Sequence, residues 1–335
     1  MENLCTERDY SIDMSRVLGI FLVILAHCIH PSFILHEIRT FDVVLLVFIS
    51  GISFDLSYSK NKDSYGKYIK NRFVKLVFHT WLFLILYYLY VYTRGEKITI
   101  HAVVNSFLLI GGIGYLWIFR VMFINAIINP FLIKFQKNKS CFILALLIIV
   151  VLFINDEIYR NITINIQSSV IYNLVLIFVH FTISYGSISF IGIIWNKFRK
   201  IEKISVFILI TSIFVMMLFR EKGFLINENK NPPQMLYISY GLMCSFFIYE
   251  ALKRIKKIHF KNIILFISKN SMTIYLFHII ALSIVGRMNY YGKWYIYYLY
   301  VLCLSLFSTY LFQVIFMKGK NDEESNNSDS NIQKT

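Results

Sequence analysis

Residues 16–27 read RVLGIFLVILAH, an apolar run that begins on a cation and ends on a titratable ring. In an α-helix, eleven steps of 100° come to three turns plus about 20°, so Arg16 and His27 fall on one face, roughly 16 Å apart along the axis. That is about half the hydrocarbon thickness of a bilayer. If the run crosses a membrane with Arg16 at one surface, His27 stands near the middle.

Composition says that it crosses. The chain has 335 residues, of which 57% are hydrophobic, 17% aromatic and only 16% charged. With a mean hydropathy of +0.60 it is far more apolar than a soluble domain. The net charge of +15 sits in short basic clusters between apolar segments, the pattern that orients a membrane protein. The expected partner is therefore the lipid bilayer and not nucleic acid. The five cysteines form no CxxC pair and have no zinc-like histidine spacing, so no metal is expected. The first apolar run lacks a cleavage pattern and is expected to stay as a signal anchor.

Apolar stretches of about 17 to 25 residues are long enough to span. They predict an all-α, polytopic bundle of about ten transmembrane helices, near 16–35, 38–57, 72–93, 113–134, 140–156, 169–195, 204–220, 233–252, 268–286 and 294–317. The apolar segment 98–112 is short and reads as re-entrant or interfacial. No internal repeat is evident. The even-numbered connections carry nineteen lysines and arginines against nine in the odd-numbered ones, which predicts that both termini are cytoplasmic. Residues 1–317 are thus expected to form one membrane domain, with the polar stretch 318–335 as a disordered cytoplasmic tail.

Ionisable groups within spans are costly and mark candidate sites. Asp13 lies three residues before Arg16 and shares its face, which suits a pair. Two readings of Arg16 stand, a functional cation or a snorkelling anchor. His27 is likewise either a reactive ring or one hydrogen-bonded between helices. In SMTIYLFH, Ser271, Tyr275 and His278 form a polar stripe, placing a second histidine at similar depth to His27. Arg72, Lys75 and His79 make a third stripe from the cytoplasmic side. Arg120 and Trp117 share a face near the outer surface, where Asp42 also lies, so Arg120 and Asp42 are candidates to pair across helices. His180, alone on an apolar face, reads as structural.

In this order the segments resemble the integral-membrane acyltransferase-3 family, whose members O-acylate extracytoplasmic glycans and other envelope molecules. Asp13, Arg16 and His27 match its first-helix pattern, and Ser50-Gly51 closes the second helix as in the family. Arg72 and Lys75 match a basic pair of the third helix, Leu116 and Trp117 an aromatic motif of the fourth. Ser271, Tyr275 and His278 match a late Ser-x-x-x-Tyr-x-x-His. Two positions depart: Lys75 stands where Arg is common, which loses bidentate phosphate geometry, and Val44 where a proline is frequent.

The resemblance implies a membrane O-acyltransferase of the bacterial cytoplasmic membrane, of the polysaccharide O-acetyltransferase type. Arg16, Arg72 and Lys75 would then meet the phosphates of acetyl-CoA or a similar acyl donor. His27 would be the base, with Tyr275 and His278 orienting it or stabilising the oxyanion. The acceptor would be a hydroxyl of a glycan or lipid-linked saccharide, approached from the outer side near Asp42, Trp117 and Arg120. A transporter or flippase for lipid-linked glycans is the rival from another class; a polysaccharide polymerase would be expected to carry a longer outer loop.

Overall fold

The computed structural model describes residues 8–28, 32–58, 64–165, 176–287 and 293–332, and all regular structure among them is helical. The helices are α1 Tyr10–His27, α2 Phe33–Tyr58 and α3 Tyr65–Thr93. The short α4, Ile100–Phe107, is followed by α5 Trp117–Gln136 and α6 Cys141–Asn165. Then come α7 Phe178–Trp195, α8 Lys200–Arg220 and α9 Met235–Leu252. The chain continues as α10 Lys261–Lys269, α11 Ser271–Gly286 and α12 Trp294–Ile332. Among the described residues, nine helices are long and apolar enough to cross a bilayer, or ten if α10 and α11, bent by 77°, count as one broken span. This is the multi-pass bundle expected from composition. Lys60, Lys62 and the expected start of the sixth span, 169–175, lie outside the described residues.

The first span differs from its expected limits. The helix begins at Tyr10, where the Asp9 side chain accepts from the Ser11 N–H at 3.0 Å, and it ends at His27, with Cys28 already extended. An N-cap carboxylate satisfies one orphan amide of the first turn, so residues 11–15, with the polar Ser11, Asp13 and Ser15, join the helix. Pro31 lies just beyond in the sequence, where prolines commonly follow helix ends. His27 is therefore the last helical residue, and Arg16 sits more than a turn inside the helix.

Helix α2 is the hub. Val44, Leu45, Val47, Phe48 and Ile49 are fully buried, as suits a helix apolar on all sides. Its neighbours approach through glycines. A Cβ on Gly19 of α1 would meet Leu46 at 2.7 Å, and one on Gly241 of α9 would meet Val44 at 2.5 Å. At the crossing with α7, a Cβ on Gly51 would overlap the Ser189 carbonyl and one on Gly192 the Phe48 carbonyl. Small residues let membrane helices close to backbone contact, where dispersion and packing replace the hydrophobic drive. By contrast Ile85, Leu147 and Phe307 on the outer helices are exposed, as lipid-facing residues should be.

The expected ninth span is broken at Asn270, whose side-chain N–H₂ donates to the Phe266 carbonyl at 2.8 Å and which also accepts from Gln313 of α12. The break turns the chain so that Ser268 reaches α1 from one side while α11 delivers His278 further along it.

Candidate active site

At its N-terminal end, α1 carries Asp13 and Arg16, but they do not pair as their spacing suggests. Asp13 is buried and accepts from Arg8 Nε and Nη2 at 2.7 and 3.0 Å and from the Ser268 hydroxyl at 2.6 Å. A carboxylate with both oxygens engaged by a guanidinium fork gains little from a second cation. Arg16 instead donates from Nη2 to Ser53 Oγ at 2.5 Å, and no carboxylate lies within ion-pair distance of it among the described residues. Its charge and that of Arg72 lie close enough to repel each other. Arg72 also stands over the Tyr68 ring, 5.3 Å from its centroid, and Lys75 is exposed on the same segment. Just after Arg72, α3 widens into a single π turn, Val74–Phe78, which contains Lys75, a feature frequent at functional sites. The ring of His79 hydrogen-bonds the Val74 carbonyl at 2.6 Å and so belongs to that turn.

At the other end of α1 the two histidines meet. The His27 and His278 rings stack with centroids 5.4 Å apart and planes inclined by 28°. Tyr115 closes over both, edge-on to His27 at 4.6 Å and to His278 at 5.8 Å. Tyr275 lies 4.9 Å from His278, and its hydroxyl donates to the Tyr115 carbonyl at 2.6 Å. His278 Nδ1 contacts the Tyr275 carbonyl one turn earlier. A carbonyl only accepts, so Nδ1 carries the hydrogen and Nε2 of the neutral ring keeps its lone pair. That Nε2 is buried and has no partner among the described residues. A desolvated imidazole nitrogen with a free lone pair can take a proton from a hydroxyl or attack an acyl carbon.

Beside this pair lies a charged cluster that local spacing shows only in part. Asp42, fully buried, accepts from Arg39 Nη1 at 3.0 Å and from Lys230 Nζ at 2.9 Å. Arg39 Nη2 also reaches His36 Nδ1 at 2.9 Å. The charges of Lys230, Arg39 and His36 all act on the His27 ring. Burial pulls the Lys230 ammonium below the ordinary lysine value, a shift that Asp42 opposes. Arg39 and Asp42, three residues apart across a helical turn, were a readable pair; Lys230, far away in the chain, had no local signal.

The expected pair of Asp42 with Arg120 is not formed. Arg120 Nη1 donates to the Leu109 carbonyl at 2.9 Å, so the guanidinium ties down the loop after α4, whose carbonyls have no helical partner. Trp117 packs on Phe181 and Tyr185 with centroids 6.0 and 5.6 Å away. His180 contacts the Pro233 carbonyl through Nε2 at 3.1 Å and packs on Tyr159, while its Nδ1 is buried without a partner among the described residues. Cys28, next to His27, is buried and its thiol is pushed up to about 12, which leaves almost no thiolate near neutral pH. Among the described residues no group of three or more His, Cys, Asp or Glu side chains is arranged to hold a metal.

A family model described as an acyltransferase domain matches residues 9–317, nearly the whole chain. The chain belongs to the acyltransferase-3 family. No curated protein and no solved structure matches it. Within this acyltransferase, the motif positions separate into two kinds by their surroundings. Ser50-Gly51 lies at the α2–α7 crossing, where Gly51 permits backbone contact and the Ser50 hydroxyl is spent on the Val47 carbonyl. By contrast the His278 Nε2 is buried without a partner, and Arg16 has one hydrogen bond, to Ser53 Oγ, and no carboxylate within ion-pair distance, among the described residues.

Proposed function

We propose that this acyltransferase is an O-acetyltransferase of the bacterial cytoplasmic membrane that moves an acetyl group from cytoplasmic acetyl-CoA to a hydroxyl of an extracytoplasmic or lipid-linked glycan. The observation that carries the reading is the His27–His278 pair, with the free Nε2 lone pair of His278, at one end of a helix whose other end carries Arg16 near Arg72. The two ends are roughly 16 Å apart at the helical rise, so a thin acyl-bearing arm has to bridge them.

In this reading both termini face the cytoplasm, and Arg16, Arg72 and Lys75 meet the donor phosphates. Guanidinium groups suit phosphate because their forked N–H donors match its geometry; Lys75 adds charge alone. The acceptor oxygen attacks the thioester carbon while a neutral imidazole takes its proton. The carbon–sulfur bond breaks, and the imidazolium returns the proton to the departing thiolate. His27, half-buried and stacked on His278, is the base; His278, with its tautomer set by the Tyr275 carbonyl, backs it. Tyr275 is a positioning residue, because its hydroxyl is committed to the Tyr115 carbonyl and so holds Tyr115 against both rings. On the acceptor side stand Asp42 and Trp117, with Arg120 fixing the adjoining loop. A positioned base of this kind is worth about 10² to 10⁴ in rate.

The test is transfer from radiolabelled acetyl-CoA by purified protein, together with NMR of acetyl groups on the surface glycan with and without the gene. Saturable coenzyme A binding and loss of glycan acetyl groups support the proposal. No donor binding and unchanged acetylation would overturn it in favour of transport.

A further inference from the structure

We propose that the acceptor of this acyltransferase carries an anionic group, a phosphate or a carboxylate, which Arg39 and Lys230 hold near the His27 ring. This rests on the acyl-transfer reading above and names the chemistry of its acceptor.

The first observation is the charge balance. Arg39 and Lys230, with side chains only 3% and 12% exposed, converge on the single carboxylate of Asp42. No second carboxylate lies within ion-pair distance of either among the described residues. Glu37, on the same short turn as His36, accepts from the Asn227 backbone N–H at 2.9 Å and is not among the charges that act on Lys230, and Glu228 is exposed. Two cations on one anion leave an excess positive charge where water is largely excluded, and an uncompensated buried charge is costly. An anion brought in by the substrate would offset it; a neutral sugar would not.

The second is an orphaned donor. Arg39 uses Nη1 on Asp42 and Nη2 on His36, while its Nε is buried without a partner among the described residues. Buried polar groups are almost always paired, so a leftover guanidinium N–H marks a place for an acceptor atom. Phosphate and carboxylate oxygens are the acceptors that guanidinium geometry suits.

The third is position. Lys230 and Arg39 are close enough to act electrostatically on His27, whereas the Arg16 and Arg72 cations lie toward the other end of α1. His27 thus has one cationic site toward the far end of its helix and another near its ring. If the first takes the donor phosphates, the second is free to select the acceptor and fix its hydroxyl near the base. Orienting the reacting groups in this way is itself a large catalytic contribution.

The experiment titrates purified full-length protein with methyl glucoside, methyl glucuronide and glucose 1-phosphate, observed by saturation-transfer NMR. The expected result is that at least one anionic probe binds about tenfold or more tightly than the neutral one, the increment of a charge-assisted hydrogen bond. Lys230→Met should erase that preference and Lys230→Arg should keep it. Lys230→Met leaves Asp42 with Arg39, a neutral pair, so folding should survive, and the wild-type comparison stands without any variant. Stronger binding of the glucuronide assigns a carboxylate acceptor, and stronger binding of the phosphate assigns a phosphate-bearing one. No anionic preference in the wild type, or a preference retained in Lys230→Met, overturns the proposal. Acetyl-CoA titration of the same samples reads the donor site separately, so failure of the acyl-transfer reading is seen apart from failure of this one.

Discussion

Replacing Asp42 by Asn should reveal how strongly the buried cluster depends on its one carboxylate. Asp42 receives Arg39 at 3.0 Å and Lys230 at 2.9 Å, and it is fully buried. At 3 Å and an effective dielectric constant of 20, each attraction is about 5–6 kcal/mol before desolvation. Asn keeps the volume, but its amide nitrogen is a donor and would face an N–H of one cation. Breaking a buried pair by removing one partner typically costs about 3–5 kcal/mol, because the remaining charge stays buried. We expect that loss for Asp42→Asn, measured by denaturant titration of helical circular dichroism in detergent micelles. The cost comes from stranded cations, so adding Lys230→Met to Asp42→Asn should recover a substantial part of it, a coupling that independent sites would not show. A single variant within about 0.5 kcal/mol of wild type, or a double variant in which the losses simply add, would refute the reasoning.

The remaining expectations concern the site and the helix crossings. His27→Ala should lower acyl transfer at least roughly 10²-fold per mole of membrane protein, and His27→Gln should do no better, because an amide cannot accept a proton near pH 7; substantial activity of the Gln variant would shift the base to His278. Arg16→Ala should weaken coenzyme A binding while Arg16→Lys restores only part of it, and unchanged donor affinity in the Ala variant would remove Arg16 from the donor site. Gly192→Ala should destabilise by about 1–3 kcal/mol through overpacking against the Phe48 carbonyl, whereas Gly66→Ala, with open space around its Cβ, should be neutral or slightly stabilising; equal melting of the two variants contradicts the close crossing. Cys28→Ser should retain activity and wild-type activity should resist thiol alkylation, since the buried thiol stays protonated; inactivation traced to alkylated Cys28 would contradict this.

What the sequence determined by itself is set by local physics. A run of some twenty apolar residues is a span in any context, because a bilayer demands that each backbone group bond within its own helix. Composition and run length were therefore enough for an all-helical, multi-pass bundle, and helical spacing was enough to place Ser271, Tyr275 and His278 on one face. The ordered motifs carried the family. Helix ends were less legible: the apolar residues after Cys28 hid the end of α1 at His27, and the polar residues before Arg16 hid its start at Tyr10.

The tertiary structure decided the partners. Spacing offered Arg16 to Asp13, and a shared depth near the outer surface offered Arg120 to Asp42, yet Asp13 went to Arg8 and Ser268, and Asp42 to Arg39 and Lys230. A buried carboxylate takes whichever partner the packing delivers with good geometry, and delivery depends on how helices remote in the sequence cross at glycines and bend at Asn270. The stacking of His27 on His278 is of the same kind: each ring was a candidate in the sequence, but only the bend after Lys269 and the fit of α1 and α11 against one another bring the two rings into contact.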